Sequence, residues 1–293
     1  MIMRTLCAVV LLALSTASAV VTASAEVTAS ADVTARAEVT ARAQVKADQA
    51  AFRDFYARRF RDIPAKAHVD GAYALDEAKR AQWQEMEEFP PYEFTVDDGD
   101  LLFNERFSDG NGYGDCFADD GAVKHLYPKF ENGQVITLEI AINQCRQAHG
   151  EEALGYDSEE MIQLMSYMAY ASRDEIIDIK VPDEAMAAYE RGKQFYFSRR
   201  GQLNFSCSHC HMQITGTLLR AEILSASYGH VTHWPTYRLK WQEVGLLHRR
   251  IAECNEQVGA EGLPMQSQPY REVEYFLTVM SNGLPINGPA SRK

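Results

Sequence analysis

Cys207, Ser208, His209, Cys210 and His211 read as Cys-X-X-Cys-His, and no other run in the chain narrows its chemistry so far. Two thiols at that spacing on one tight turn can form thioethers with the vinyl groups of a porphyrin, while the adjacent imidazole reaches the iron from the proximal side. A chance match, a zinc half-site and a redox dithiol are the alternatives. Zinc would call for a second Cys or His pair and a thioredoxin-like dithiol for a βαβ setting, and neither pattern is visible. The expected cofactor is one covalently held haem c, bound through Cys207 and Cys210 with His211 as an axial ligand.

The second axial position then needs a ligand. Small cytochromes commonly use methionine, and Met265 and Met280 follow His211 by 54 and 69 residues. Cys254 follows by 43 residues, in a stretch of helical composition from Leu247 to Asn255. On a helix, Arg250 and Cys254 are four apart and share a face. A guanidinium there would favour the thiolate and offer a planar fork to an oxyanion. A structural thiol beside a solvated basic run fits the same residues. Arg249, Lys240 and His248 read as surface residues that at most widen the positive field.

The elements that must position these groups are mostly helical. The segment 49–88 reads as helix broken at Pro64 and closed by Pro90 and Pro91. Ser158 can cap a helix whose Met161, Leu164, Met165 and Met168 share a face and fill a core. Pro182 can open a helix and Gly201 end it just before the Cys207 turn. Pro269 starts another, with Val273, Phe276, Leu277 and Met280 on one face and Gly283 closing it. Two stretches run in parallel: Gly99 precedes Cys116 by 17 residues, and Gly192 precedes Cys207 by 15. The expected fold is mainly α, in two cytochrome c-like lobes.

Ahead of them, residues 1–19 carry Arg4, an apolar run and a small-residue series, the pattern of a cleaved export signal and too short an apolar run to span a bilayer. Cleavage after Ala19 or Ala25 fits. Residues 21–44 repeat VTASAE with small changes and carry no apolar periodicity, so a disordered tether is expected. The divisions are 1–25 signal, 26–48 linker, 49–180 first lobe with its helical extension, and 181–293 haem-binding lobe. An exported chain lies in the periplasm. Its formal charge of −12 argues against nucleic acid or an anionic membrane as partner. Of six cysteines, Cys7 falls in the signal and two go to haem. The three left are a pair plus a special thiol, or include an intermolecular bridge.

Three motifs in order, RGKQFYFSRRGQLNFSCSHCH, THWPTYRLKWQEVGLLHRRIAECNEQV and NGLPINGP, resemble the SoxA subunit family of SoxAX sulfur-oxidising cytochromes, with coverage from about Asp98 onward. The resemblance implies an L-cysteine S-thiosulfotransferase that joins thiosulfate oxidatively to a cysteine of a SoxYZ-type carrier. It implies a SoxX-type cytochrome subunit as partner and a mobile cytochrome as electron acceptor. It further implies that Cys254, carried as a persulfide, is the second axial ligand and reacting sulfur, with Arg250 as the site's arginine. Some family members hold a second haem in the first lobe. Here the matching stretch is Cys116, Phe117, Ala118, Asp119, Asp120, so that haem is lost, and Cys145 matches its axial cysteine. As in single-haem relatives, Cys116 and Cys145 are then expected to form a disulfide. A plain electron carrier with a methionine ligand and a sensor with an open iron position remain the rival readings.

Overall fold

The computed structural model describes residues 40–118, 120–219 and 222–292. The expected export signal, most of the repeat tether and Asp119 lie outside the described residues. Val45–Lys293 form one compact unit. Met1–Gln44 form another, of which residues 40–44 are described and helical.

Residues 40–59 are helical (α1). The boundary expected between linker and helix at 48/49 therefore falls inside a helix. No glycine or proline interrupts the run, and Val45, Phe52 and Tyr56 are buried. The helix ends at Arg59, five residues before the break expected at Pro64, and a 3-10 stretch, Ala65–Leu75, follows with a kink at Gly71. Asp76, accepting from Lys79 N–H, caps α2, Glu77–Glu87.

Two similar runs of elements come next. The first is α3 (Glu93–Asn104), α4 (Tyr113–Cys116), β1 (Lys129–Glu131), β2 (Gln134–Ile136), α5 (Leu138–Ala148) and α6 (Glu159–Ala171). The second is α7 (Met186–Phe197), a π-helical turn His209–Gln213, β3 (Leu218–Leu219), β4 (Glu222–Ile223), β5 (Thr236–Arg238), β6 (Glu243–Gly245), α8 (Leu247–Gln257), α9 (Gln268–Met280) and β7 (Ala290–Arg292). In each run a cis peptide, Tyr127–Pro128 or Trp234–Pro235, leads into an antiparallel hairpin. The hairpin delivers the helix that carries Cys145 or Cys254. Strand β5 also takes β7 as a parallel neighbour, with Arg238 opposite Arg292.

Each run closes on a helix pair that crosses at a glycine. A Cβ at Gly99 would lie 2.1 Å from the Gln163 carbonyl oxygen of α6, and one at Gly192 would lie 2.0 Å from that of Glu272 in α9. Those distances leave no room for any side chain, so α3 packs on α6 and α7 on α9 backbone to backbone. Around the first crossing Phe103, Leu138, Ile142, Met161, Leu164, Met165 and Met168 form one core. Ser158 caps α6 as expected, accepting from Met161 N–H. Around the second crossing Tyr189, Tyr196, Tyr275, Phe276 and Val279 form the other core. Helix α1, grouped by sequence with the first lobe, packs through Phe52 and Tyr56 into this second core.

Two further helix boundaries differ from expectation. Pro182 opens only the 3-10 turn Asp183–Ala185, and α7 ends at Phe197, four residues before Gly201. Gly201 instead takes φ +70°, where a Cβ would meet the Val258 carbonyl oxygen at 2.3 Å. Its role is to let the loop before the Cys207 turn press against the end of α8.

Gly192→Ala should destabilise the protein by about 2–3 kcal/mol, because the added methyl forces α7 off α9. Urea unfolding of the haem-loaded protein measures it, and a cost below about 1 kcal/mol would mean that the crossing opens easily.

Candidate haem site

The turn from Ser206 onward is built by its own side chains. Ser206 Oγ accepts from His209 N–H at 3.2 Å and lies 2.8 Å from Ser208 Oγ. The chain then winds one turn wider than an α-helix, with Ile214 N–H donating to the His209 carbonyl at 3.1 Å. Phe205 stacks on His209 with centroids 4.1 Å apart. The turn is also pinned from outside. Tyr56 O–H of α1 donates to the His211 carbonyl at 2.6 Å and accepts from Ser227 N–H at 3.1 Å. Tyr196 of α7 meets Ser227 Oγ at 2.5 Å, and Arg59 donates to the Thr215 carbonyl at 2.8 Å.

His211 Nδ1 lies 2.9 Å from the Ser225 carbonyl, an acceptor only, so Nδ1 carries the proton. Nε2 keeps its lone pair, which is the state an iron ligand requires. Burial pushes the imidazole down to about 4, so the ring is neutral at physiological pH. His230 packs edge-on against it at 4.3 Å.

The thiols suit thioether formation better than the rival chemistries. Burial pushes Cys207 up to about 12 and raises Cys210 as well. A redox dithiol needs the opposite shift, whereas a thioether sulfur is neutral and tolerates burial. Zinc also lacks partners here. Among the described residues, the grouping with metal-ligand geometry is Cys116, Cys145 and His149, and its two sulfurs are bonded to each other. The residues at 207–211 thus fit a covalent haem with His211 as proximal ligand.

Cys254 sits half-buried on α8 as a free cysteine. It lies near enough to Cys207, Cys210 and Arg250 to interact electrostatically with all three. Arg250 shares its helix, as the four-residue spacing requires. Burial works against the Arg250 charge, but Cys254, Glu253 and Glu222 together hold it above its ordinary value. The guanidinium is not free: Nη1 donates to Glu253 Oε2 at 2.7 Å, and Glu253 is shared with Lys240. Met280 is packed in the second core at 1% exposure.

Of the other flagged cations, Lys240 and Arg249 stand at the surface as expected, and His248 does not. Arg249 pairs with Glu243 at 2.7 Å and lies over Trp241. His248 is no surface residue: it is 1% exposed, its Nδ1 accepts from Gln266 N–H at 3.0 Å and its Nε2 is 2.9 Å from Glu274. Sequence reasoning missed three contributors. Tyr56 and Ser225 act through tertiary contacts that leave no local pattern. Arg238 is 7% exposed at the end of β5, and its charge is felt together with Arg250, Glu222, Glu253 and Cys254.

In the first run of elements, Cys116 and Cys145 form the expected disulfide, with Cα atoms 5.9 Å apart. Asp120 stands exposed where the parallel motif has its histidine, accepting from Ala122 N–H at 3.0 Å. Asp119 lies outside the described residues.

A family model for the SoxA/TsdA cytochrome c domain matches residues 98–177, the run that carries the disulfide. The chain is 50% identical to the L-cysteine S-thiosulfotransferase subunit SoxA of Allochromatium vinosum, over 84% of this chain and 89% of that one. It is 50% identical to the corresponding subunit of Chlorobaculum thiosulfatiphilum, over 84% and 87%. The crystal structure of SoxXA from P. pantotrophus superposes with a TM-score of 0.67 at 26% identity, covering 73% of this chain and 84% of that one.

Replacing Cys116 and Cys145 together by Ser should cost about 3–4 kcal/mol, since the bridge closes a 29-residue separation. The haem absorption spectrum should stay unchanged, because the bridge belongs to the other core. Spectral loss in the folded variant would place the disulfide in the haem site's support.

Proposed function

The chain belongs to the SoxA family of L-cysteine S-thiosulfotransferase subunits, and we propose that Cys254 is the sulfur at which thiosulfate is joined to a carrier-protein cysteine. The single observation that carries this reading is the position of Cys254. It is a free, half-buried cysteine near the Cys207–His211 turn, on the same helix as a half-buried arginine.

A haem bound at Cys207, Cys210 and His211 supplies a one-electron acceptor next to that sulfur. His211, neutral and with Nδ1 committed to Ser225, would offer Nε2 to the iron, and Cys254 would be the second residue to hold it. The terminal sulfur of thiosulfate bonds to the Cys254 sulfur, and two electrons and the thiol proton leave. The carrier thiolate then attacks the sulfane sulfur, as in disulfide exchange. It takes the S-thiosulfonate and returns the Cys254 sulfur as leaving group. If Cys254 carries an extra sulfur as a persulfide, the same bonds form and break one atom further out, on a softer and more nucleophilic sulfur. Arg250, held by Glu253, orients its remaining N–H groups toward the sulfonate oxygens.

The two parallel runs of elements support a reading as two cytochrome c-like lobes, of which the first keeps only a disulfide where a haem would attach. One haem c follows from that reading. A SoxX-type cytochrome is the proposed partner, by likeness to the SoxXA complex. A SoxYZ-type carrier supplies the acceptor cysteine, and a mobile cytochrome removes the electrons. No described helix is long and apolar enough to cross a membrane. With the signal-like residues 1–25 this fits a periplasmic protein.

Cys254→Met should keep a six-coordinate haem and abolish transfer to the carrier. Transfer surviving at the wild-type rate would exclude the covalent role. Intact mass before and after mild reduction should show one haem and one reductant-labile sulfur that the Met variant lacks. Arg250→Lys keeps the charge and loses the fork, so turnover should fall about tenfold or more with the haem spectrum unchanged. Unaltered turnover would remove Arg250 from the site.

A further inference from the structure

Arg238 ends β5 with 7% of its surface exposed, and its partners are poor for a buried charge. Its Nη2 reaches both carboxylate oxygens of Glu222 at 3.4 Å, well beyond the usual length of a charge-assisted hydrogen bond. Its Nε, also buried, has no partner at all. Glu222 itself is 41% exposed and can turn to solvent. A buried guanidinium with a long ion pair and an orphaned N–H is costly unless something else completes it.

The neighbours sharpen the case. Strand β5 pairs with β6, which runs into α8, and Arg238 stands at the turn end of that hairpin, opposite Glu243. Trp241 lies under both Arg238 and Arg249, at 5.2 and 4.4 Å, and stiffens that corner. Arg249 is complete, since Glu243 meets it at 2.7 Å. Arg250 is tied through one Nη to Glu253, which also serves Lys240. Burial first, and then the Arg250 charge, push Arg238 below its ordinary value. A buried guanidinium with an idle N–H, near a half-buried one, leaves donors for an anion that Glu222 fills only at long range.

We propose that Arg238 is the second arm of an oxyanion clamp, closing with Arg250 on the oxygens of an anionic group beside Cys254. This rests on Cys254 as the reacting sulfur. Two sources offer the same chemistry: the sulfonate of thiosulfate and the carboxylates of the bound porphyrin. In both, two or more oxygens in one plane match the fork of a guanidinium.

The test uses the haem-loaded protein with its partner and carrier. If the clamp holds the sulfonate, Arg238→Gln raises KM for thiosulfate tenfold or more, with kcat within threefold of wild type and the haem midpoint potential unchanged. If it holds the porphyrin carboxylates, KM stays put, the midpoint potential falls and its pH dependence shifts. Arg238→Lys should rescue charge-dependent effects in part. Should Arg238→Gln fail to retain haem, Glu222→Gln reads the same site from the other side. Removing the competing carboxylate should lower KM at least twofold in the first case and raise the midpoint potential in the second. Wild-type KM and potential in both variants would overturn the clamp while leaving the role of Cys254 intact. Transfer surviving in Cys254→Met would overturn the parent reading instead.

Discussion

The approach of α7 to α9 at Gly192 is the constraint on which the haem-attachment half depends. The Glu272 carbonyl occupies the space that a Cβ would need, so the two helices pack at their backbones and their aromatic residues are pushed to the flanks. Tyr189 and Tyr196 then meet Phe276, and Phe52 of α1 packs against Tyr196 and Phe276. That layer positions Tyr56 and Tyr196, whose hydroxyls reach the backbone of His211 and the side chain of Ser227. A displaced crossing would move the hydroxyls, and with them the turn that presents His211.

The same crossing occurs at Gly99, yet the two halves have diverged in chemistry. In the first, the hairpin and helix carry Cys145 back to Cys116, and the sulfurs close on each other. In the second, they carry Cys254 back to a turn with two thiols and an imidazole. One scaffold thus carries a helix-borne cysteine back toward the turn, and the residues met there decide between a disulfide and a free thiol. The halves also lend side chains to each other. Val135 of β2 packs in the second core and Leu246 in the first. Between them lie the buried Glu139, Lys124, His248 and Glu274, each at most 6% exposed. Burial, and then repulsion from Glu274, raise Glu139, while His248 offsets burial to hold Glu274 low. Unlike charges placed this deep need one another, so the cluster favours one arrangement of α5 against α8 and α9.

Electrostatics near Cys254 follow from the same geometry. The acidic chain puts carboxylates, Glu222 and Glu253, against the buried Arg238 and the half-buried Arg250, so the site is a mixed-charge cluster and not a bare positive patch. Arg250 keeps one nitrogen engaged and Arg238 keeps one idle. Such a cluster selects a small anion by directed N–H groups more than by overall field, since the protein as a whole is negative.

The chemistry was legible in the sequence because it is local. Cys207, Cys210 and His211 lie within one turn, Arg250 and Cys254 within one helical turn, and the cap at Ser158 acts on adjacent residues. The parallel Gly99 and Gly192 pointed to two similar runs, but only the packing shows that each glycine marks a helix crossing. The ends of α7 and of α1 were misplaced, because helix ends are set by what the chain packs against. The burial of His248, the assignment of α1 to the second core and the position of Arg238 had no local signature. Each depends on contacts between residues far apart in the chain, and only tertiary packing decides which polar groups are shut away from water and with which partners.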